Sequence, residues 1–213
     1  MAPATAFRHA LWLAATNPNM EEPAARKLRF LALQVVGAVA VIHLVVGGAE
    51  LVRFAAGGLL VEYLTGGQVV SQPEPWLFAL SGLAILGGIL AVGLGYLGHR
   101  RAYLLGAAAM VTFLVGWLAW HSVLDHALGG GGPATTDGQT HRGLLDVVAS
   151  HYVDPLVGAF TGADQPGRTT LAVVSKTLEL LALALLGTLL FVDPRAEEPA
   201  NPIAAMGEGA ADE

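Results

Sequence analysis

Apolar residues in this chain gather into four long runs, at about 28–52, 76–98, 102–128 and 170–192, separated by polar or glycine-rich stretches. Each run is close to the roughly 20 residues an α-helix needs to cross a hydrocarbon core of about 30 Å. Inside lipid, backbone amides and carbonyls find partners only within a helix or a closed barrel. The pattern therefore predicts an all-α fold, an integral membrane four-helix bundle. Between the second and third runs stands only His99-Arg100-Arg101, too short a connection for anything but an antiparallel hairpin of neighbouring helices.

The connections at 53–75 and 129–169 are longer. Each carries a further apolar piece, at 59–64 and 144–160, which predicts short interfacial helices in these loops. Gly129 to Gly132, followed by Pro133, reads as a flexible linker, because glycine has neither a preferred backbone region nor a side chain to pack. The segment 7–15 is too short, and too interrupted by Arg8 and His9, for a cleaved signal. Phe7, Leu11 and Trp12 make it a brief interfacial helix within an N-terminal segment, 1–27. Residues 193–213 read as an acidic disordered tail.

Basic residues orient the bundle. Arg8, Arg26, Lys27, Arg29, Arg100, Arg101 and Arg195 fall on one side, against Arg53, Arg142 and Arg168 on the other. By the positive-inside rule both termini are cytoplasmic, the protein is a multi-pass protein of the cell membrane, and the two long loops face outward. The second run places Ala84, Gly88, Ala91 and Gly95 at helical spacing and contains no ionisable group, so it is expected to be a close-packing scaffold helix.

Composition strengthens the bilayer reading. Of 213 residues 54% are hydrophobic and only 13% charged, against about a quarter charged in soluble domains. There is no cysteine, which excludes disulfides, thiolate metal sites, iron–sulfur clusters and a cysteine nucleophile. The net charge of −6 draws heavily on the tail, at Asp193, Glu197, Glu198, Glu208, Asp212 and Glu213. No basic patch suggests nucleic acid. The expected partners are the lipid bilayer and either other membrane subunits or further copies of the chain.

The informative residues are the polar ones inside the apolar runs: His43 and Glu50 in the first, His121, Asp125 and His126 in the third, Lys176 and Glu179 in the fourth. A charge at a membrane helix centre costs roughly 2.5–3.5 kcal/mol on insertion scales, so such groups are paired, neutralised or hydrated. His43 and Glu50 are seven apart and share a helix face on which Gly47 lies between them, while His121 and Asp125 stack at i and i+4. Lys176 and Glu179, at i and i+3, are within reach of each other as an ion pair or a proton relay. With a rise of about 1.5 Å per residue, His43 and Glu179 fall near the midplane, His121 and Lys176 about 10 Å below the outer surface, and Glu50 and Asp125 near that surface. The inner halves are almost wholly apolar apart from Gln34, which argues against a channel.

The second loop adds His141, Asp146, His151 and Asp154. Imidazole and carboxylate without thiolate suit a transition metal such as Cu, Zn or Fe, and His43, Glu50, His121, Asp125 and His151 are the candidate ligands. Four functional readings follow. One is a metal protein with redox or hydrolytic chemistry, its ligands oriented by Glu179 or Asp146. A second is a b-type haem or quinone electron-transfer subunit with His43 and His121 as axial ligands. A third is a proton-coupled carrier using Lys176, Glu179, His43 and Asp125. The fourth is an accessory or assembly subunit of a larger membrane complex, in which the same groups only satisfy one another: His43 against Glu179, Lys176 with Glu179, and Glu50, Asp125 and His126 reaching to the interface. No nucleophile elbow, phosphate loop, dinucleotide fingerprint or EF-hand is present.

Overall fold

The structure, a computed structural model, describes residues 20–124, 144–161 and 168–196. Asp125, His126 and His141 lie outside the described residues. Among those described there is no strand, and four helices are long and apolar enough to cross a membrane: Glu22–Ala56, Glu74–Gly93, His99–Ser122 and Leu171–Val192.

Helix α1, Glu22–Ala56, starts with a proline in its first turn and an acidic residue at its positive end, both favourable there. It runs further at both ends than the apolar stretch alone predicts. Short helices α2, Leu60–Thr65, and α3, Gln68–Ser71, follow. They are bound to the bundle by Tyr63, whose ring stacks on Phe54 at 4.6 Å and whose hydroxyl donates to the Gln72 carbonyl at 2.8 Å. Trp76 Nε1 donates to the Val69 carbonyl at 3.1 Å and closes the same loop.

Helix α4, Glu74–Gly93, ends sooner than its apolar sequence suggests, because Gly95 takes φ +78°, a left-handed conformation open to glycine at no steric cost. The turn is therefore made by 94–98. His99-Arg100-Arg101 forms the first turn of α5, His99–Ala119, rather than a loop. At Trp120–Leu124 α5 widens into a π turn. Beyond the undescribed stretch come α6, Leu144–Val148, a second π turn at Ala149–Val153, and α7, Asp154–Thr161. Helix α8, Arg168–Val192, completes the bundle, followed by a 3₁₀ turn at Pro194–Ala196.

The core lies between α1, α5 and α8. Ala32, Val35 and Val39 of α1 meet Tyr103 and Met110 of α5 and Ala182, Leu185, Leu186 and Leu189 of α8. Helix α4 is applied to the outside of α1 by a different kind of contact. A Cβ on Gly47 would lie 2.5 Å from the Pro75 carbonyl oxygen and closer still to the Ala79 amide nitrogen. One on Gly82 would lie 2.8 Å from the Ala40 carbonyl oxygen. Backbone meets backbone at both glycines, as small residues permit in membrane helices. The stripe expected for this role is not the one used: Ala84 is exposed and Gly88 has nothing near it. The hairpin partners α4 and α5 touch only sparsely, since α4 spends its small face on α1 while α5 packs on α8.

Only 6% of the most apolar stretch of α4 and 11% of that of α5 is buried in the bundle, against 33% for α1 and for α8. Phe30, Val45, Leu83, Leu90, Leu105 and Phe191 are all exposed. A surface of that kind has no stable place in water and matches hydrocarbon.

Both ends of the bundle sit on one face, where the Met20 amide donates to the Val192 carbonyl at 2.8 Å. Asp193, which the sequence alone counts with the tail, is 2% exposed and ties three helices together. It accepts from Arg29 Nη1 at 2.6 Å, Tyr103 Oη at 2.5 Å and the Arg195 amide at 3.0 Å. Glu22 takes the other side of Arg29 at 2.5 Å and meets Arg195 at 3.2 Å.

Candidate functional site

Among the described residues, His43, Lys176 and Glu179 form one polar cluster and His121 belongs to another, at a different level of the bundle. The deeper one joins α1 to α8. Packing of Val35 and Val39 into the core they share with α8 turns His43, one helical turn beyond Val39, into the protein interior, where it is 1% exposed. Glu179 faces it from α8, fully buried, with Oε1 3.4 Å from His43 Nε2. That is longer than the roughly 2.7–3.2 Å of a formed N–H···O bond, and neither ring nitrogen of His43 has a hydrogen-bond partner among the described residues.

Glu179 is instead held by its own helix. Lys176 Nζ donates to Oε1 at 2.7 Å and to Oε2 at 2.6 Å, and Ser175 Oγ donates to Oε1 at 3.0 Å. Residues at i−3 and i−4 from Glu179 thus converge on one carboxylate from the turn before it. Phe78 of α4 and Phe113 of α5 meet the imidazole edge to face, at centroid distances of 5.0 and 4.6 Å. The Lys176–Glu179 pair is internally neutral, and aromatic carbon covers the imidazole beside it.

The second cluster lies where the two π turns meet. His121 belongs to the turn that ends α5, and His151 to the turn between α6 and α7. Their ring centroids are 4.5 Å apart, with a 33° tilt. Each π turn inserts an extra residue into a helix and re-aims the side chains around it, a feature frequent at functional sites. Ser150 Oγ and His151 Nδ1 are hydrogen-bonded at 2.9 Å, while Trp117 packs edge-on to His121 at 5.6 Å. Tyr152, beside His151, is hydrogen-bonded through its hydroxyl to Thr177 Oγ1 of α8 at 2.9 Å.

His43 and His121 are not brought together. His43 packs on Phe113, which precedes His121 by eight residues, or about 12 Å along the helix. Two axial ligands of one haem must face each other across its iron, and this pair does not. Glu50 also stands apart, paired with Arg53 at the end of α1. Of the expected ligands among the described residues, only His121 and His151 meet. Among the described residues no group of three or more His, Asp or Glu forms a set suited to a metal ion.

Sequence reasoning misses several contributors to these clusters, Ser175, Phe78 and Phe113 of the deeper one among them. Ser175 is detectable in principle, four residues before Glu179, but a hydroxyl in a membrane helix more often bonds its own backbone. Phe78 and Phe113 are indistinguishable from lipid-facing residues without knowledge of helix rotation. Comparison with protein-family models, curated proteins and solved structures finds no match for this chain.

Proposed function

We propose that this is a multi-pass protein of the cell membrane, with both termini cytoplasmic, whose chemistry resides at the far end of the bundle in a transition-metal site built on His121 and His151. The orientation draws on Arg26, Lys27, Arg29, Arg100, Arg101 and Arg195, which cluster towards the terminal face. The observation that carries the metal site is the 4.5 Å approach of two imidazoles delivered by separate π turns. Metal–imidazole bonds of about 2.0–2.1 Å need ligating nitrogens a little over 3 Å apart, which rings at this spacing can present. Ser150 on Nδ1 of His151 leaves Nε2 as the ligating atom and fixes the ring, the usual role of a hydrogen bond behind a ligand. With no cysteine in the chain, imidazole ligation suits Zn, Cu or Fe. Bound there, such a metal would supply Lewis-acid or redox chemistry. His43 and Glu50 are not part of this proposed site.

The test is elemental analysis with X-ray absorption on the purified full chain in lipid nanodiscs, repeated on His121→Ala and His151→Ala. About one metal per chain, lost in both variants, is the expected result. A metal-free wild-type protein after growth with Zn, Cu and Fe would refute the reading, as would variants that retain the metal. A second reading, an assembly subunit without its own chemistry, is favoured by α4, whose outward Gly87 and Gly88 leave open space for a partner helix. It expects His121→Ala to change nothing beyond folding.

A further inference from the structure

The deeper cluster points to a second activity that shares no residue with the metal site. His43 is almost fully buried, yet both ring nitrogens lack hydrogen-bond partners among the described residues. A neutral imidazole carries one N–H donor and one lone pair, and burying both unpaired is costly. Phe78 and Phe113 lie against the ring, and the backbone contact at Gly47 draws α4 tightly onto α1 one turn further along. A proton is the one ligand that needs no room there.

The charges around it favour that ligand. The ring contacts to the imidazole from α4 and α5 are uncharged, made by Phe78 and Phe113. From α8 come Ser175, Lys176 and Glu179. On α1 itself the nearest titratable group among the described residues is Glu50, two turns away and paired with Arg53. With His43 neutral the cluster sums to zero. Adding one proton gives +1, and among the described residues the anion that faces it is Glu179, whose Oε1 lies at 3.4 Å and is already shared with Lys176 and Ser175.

We propose that His43, Glu179, Lys176 and Ser175 form an intramembrane proton-binding site, in which His43 accepts one proton and the Glu179 carboxylate then bridges the imidazolium of α1 and the ammonium of α8. The step forms one N–H bond with a proton from water and transfers no electrons. The new N–H donates to Glu179 Oε1 and closes the gap, so proton uptake tightens the contact between α1 and α8. Lys176 competes for the same carboxylate: its ammonium bonds both Glu179 oxygens, so an imidazolium at His43 has to share Oε1 with it.

The test is ¹⁵N NMR of the full chain, labelled at histidine, in lipid bilayers, with the His43 signal identified by its loss in His43→Asn. Between roughly pH 8 and pH 5, the range in which imidazoles change charge, His43 should pass from the neutral to the doubly protonated signature. In Lys176→Gln, where the carboxylate has lost its competing cation, the doubly protonated form should appear at higher pH than in the wild type. In Glu179→Gln the ring should stay neutral throughout. A wild-type His43 signal that does not change across this range overturns the proposal, and so does a Lys176→Gln signal that follows the wild type. These two proteins decide the matter even if Glu179→Gln fails to fold.

Discussion

Removing the carboxylate of Asp193 is the sharpest test of how the terminal face is held. In Asp193→Ala three bonds vanish at once, those from Arg29 Nη1, Tyr103 Oη and the Arg195 amide. Tyr103 is 7% exposed, so its hydroxyl is left without its acceptor in an apolar setting, and the side chain of Arg29 is only 13% exposed. Breaking a buried ion pair by deleting one partner costs about 3–5 kcal/mol. Arg29 keeps Glu22, at 2.5 Å, which places the expected loss near the lower end, about 3 kcal/mol. That corresponds to a change of about 100-fold in the folding equilibrium. Reversible unfolding in mixed detergent micelles, titrated with SDS and followed by tryptophan fluorescence, measures it. Glu22→Gln is the control, since its carboxylate is 41% exposed and solvent replaces what is lost; its effect should be clearly the smaller. A loss under about 1 kcal/mol for Asp193→Ala would mean that the three-helix clasp is ornamental and that apolar packing alone holds this end.

Two further predictions concern packing and the first loop. Gly47→Ala should destabilise the bundle by about 1–3 kcal/mol in the same assay, because its Cβ has to displace the backbone of α4. Gly88→Ala meets nothing and should be neutral or stabilise by up to about 1 kcal/mol through helix propensity, so equal effects would disprove the assigned rotation of α4. Tyr63→Phe should cost about 0.5–1.5 kcal/mol for the lost bond to Gln72. Burial pushes the Tyr63 phenol above its ordinary value of 10.0. Its contribution is therefore complete below pH 10 and is lost as pH rises through the folded-state value, where unfolding exposes a phenol that ionises more readily. Stability measured across that range should fall more steeply for the wild type than for Tyr63→Phe.

Hydropathy alone makes the four helices legible, because a spanning helix needs only length and apolarity, and both are written locally. Helix rotation is not. The stripe of Ala84 and Gly88 and the pair Gly47 and Gly82 are equally good small-residue signals, and only the fit of Pro75 and Ala79 against α1 selects the second. Asp193 is misread for a related reason: it follows the last apolar residue and precedes an acidic tail, while its partners Arg29 and Tyr103 are 164 and 90 residues away. The spacing of Lys176 and Glu179 shows that they can reach each other, but not that His43 shares the site, since that depends on how α1 and α8 pack. The π turns carrying His121 and His151 leave no sequence signal at all, which is why one pool of ligands in the sequence resolves into two clusters.

The two clusters nevertheless share a helix. On α8 Ser175 and Lys176 turn inward to Glu179, and the next residue, Thr177, bonds the hydroxyl of Tyr152, which follows His151 in its π turn. Three consecutive residues therefore connect the buried ion pair to the segment that carries His151. The Tyr152–Thr177 bond is a contact through which a displacement of that segment would reach α8 at the level of Lys176, and through which the proposed tightening of α1 on α8 would reach that segment. Coupling of this kind requires an element with two arrangements that both sites bias, and the Glu179 carboxylate qualifies, since it can be held by Lys176 alone or shared with His43. Among the described residues the half of the bundle nearer the terminal face offers no such choice of partner: between the clasp at Asp193 and the level of His43 the core is packed by Val35, Val39, Met110, Ala182, Leu186 and Leu189. If the two proposed sites hold, the apolar half anchors the helices, and the half with exchangeable polar partners is where a bound proton or metal would change their packing.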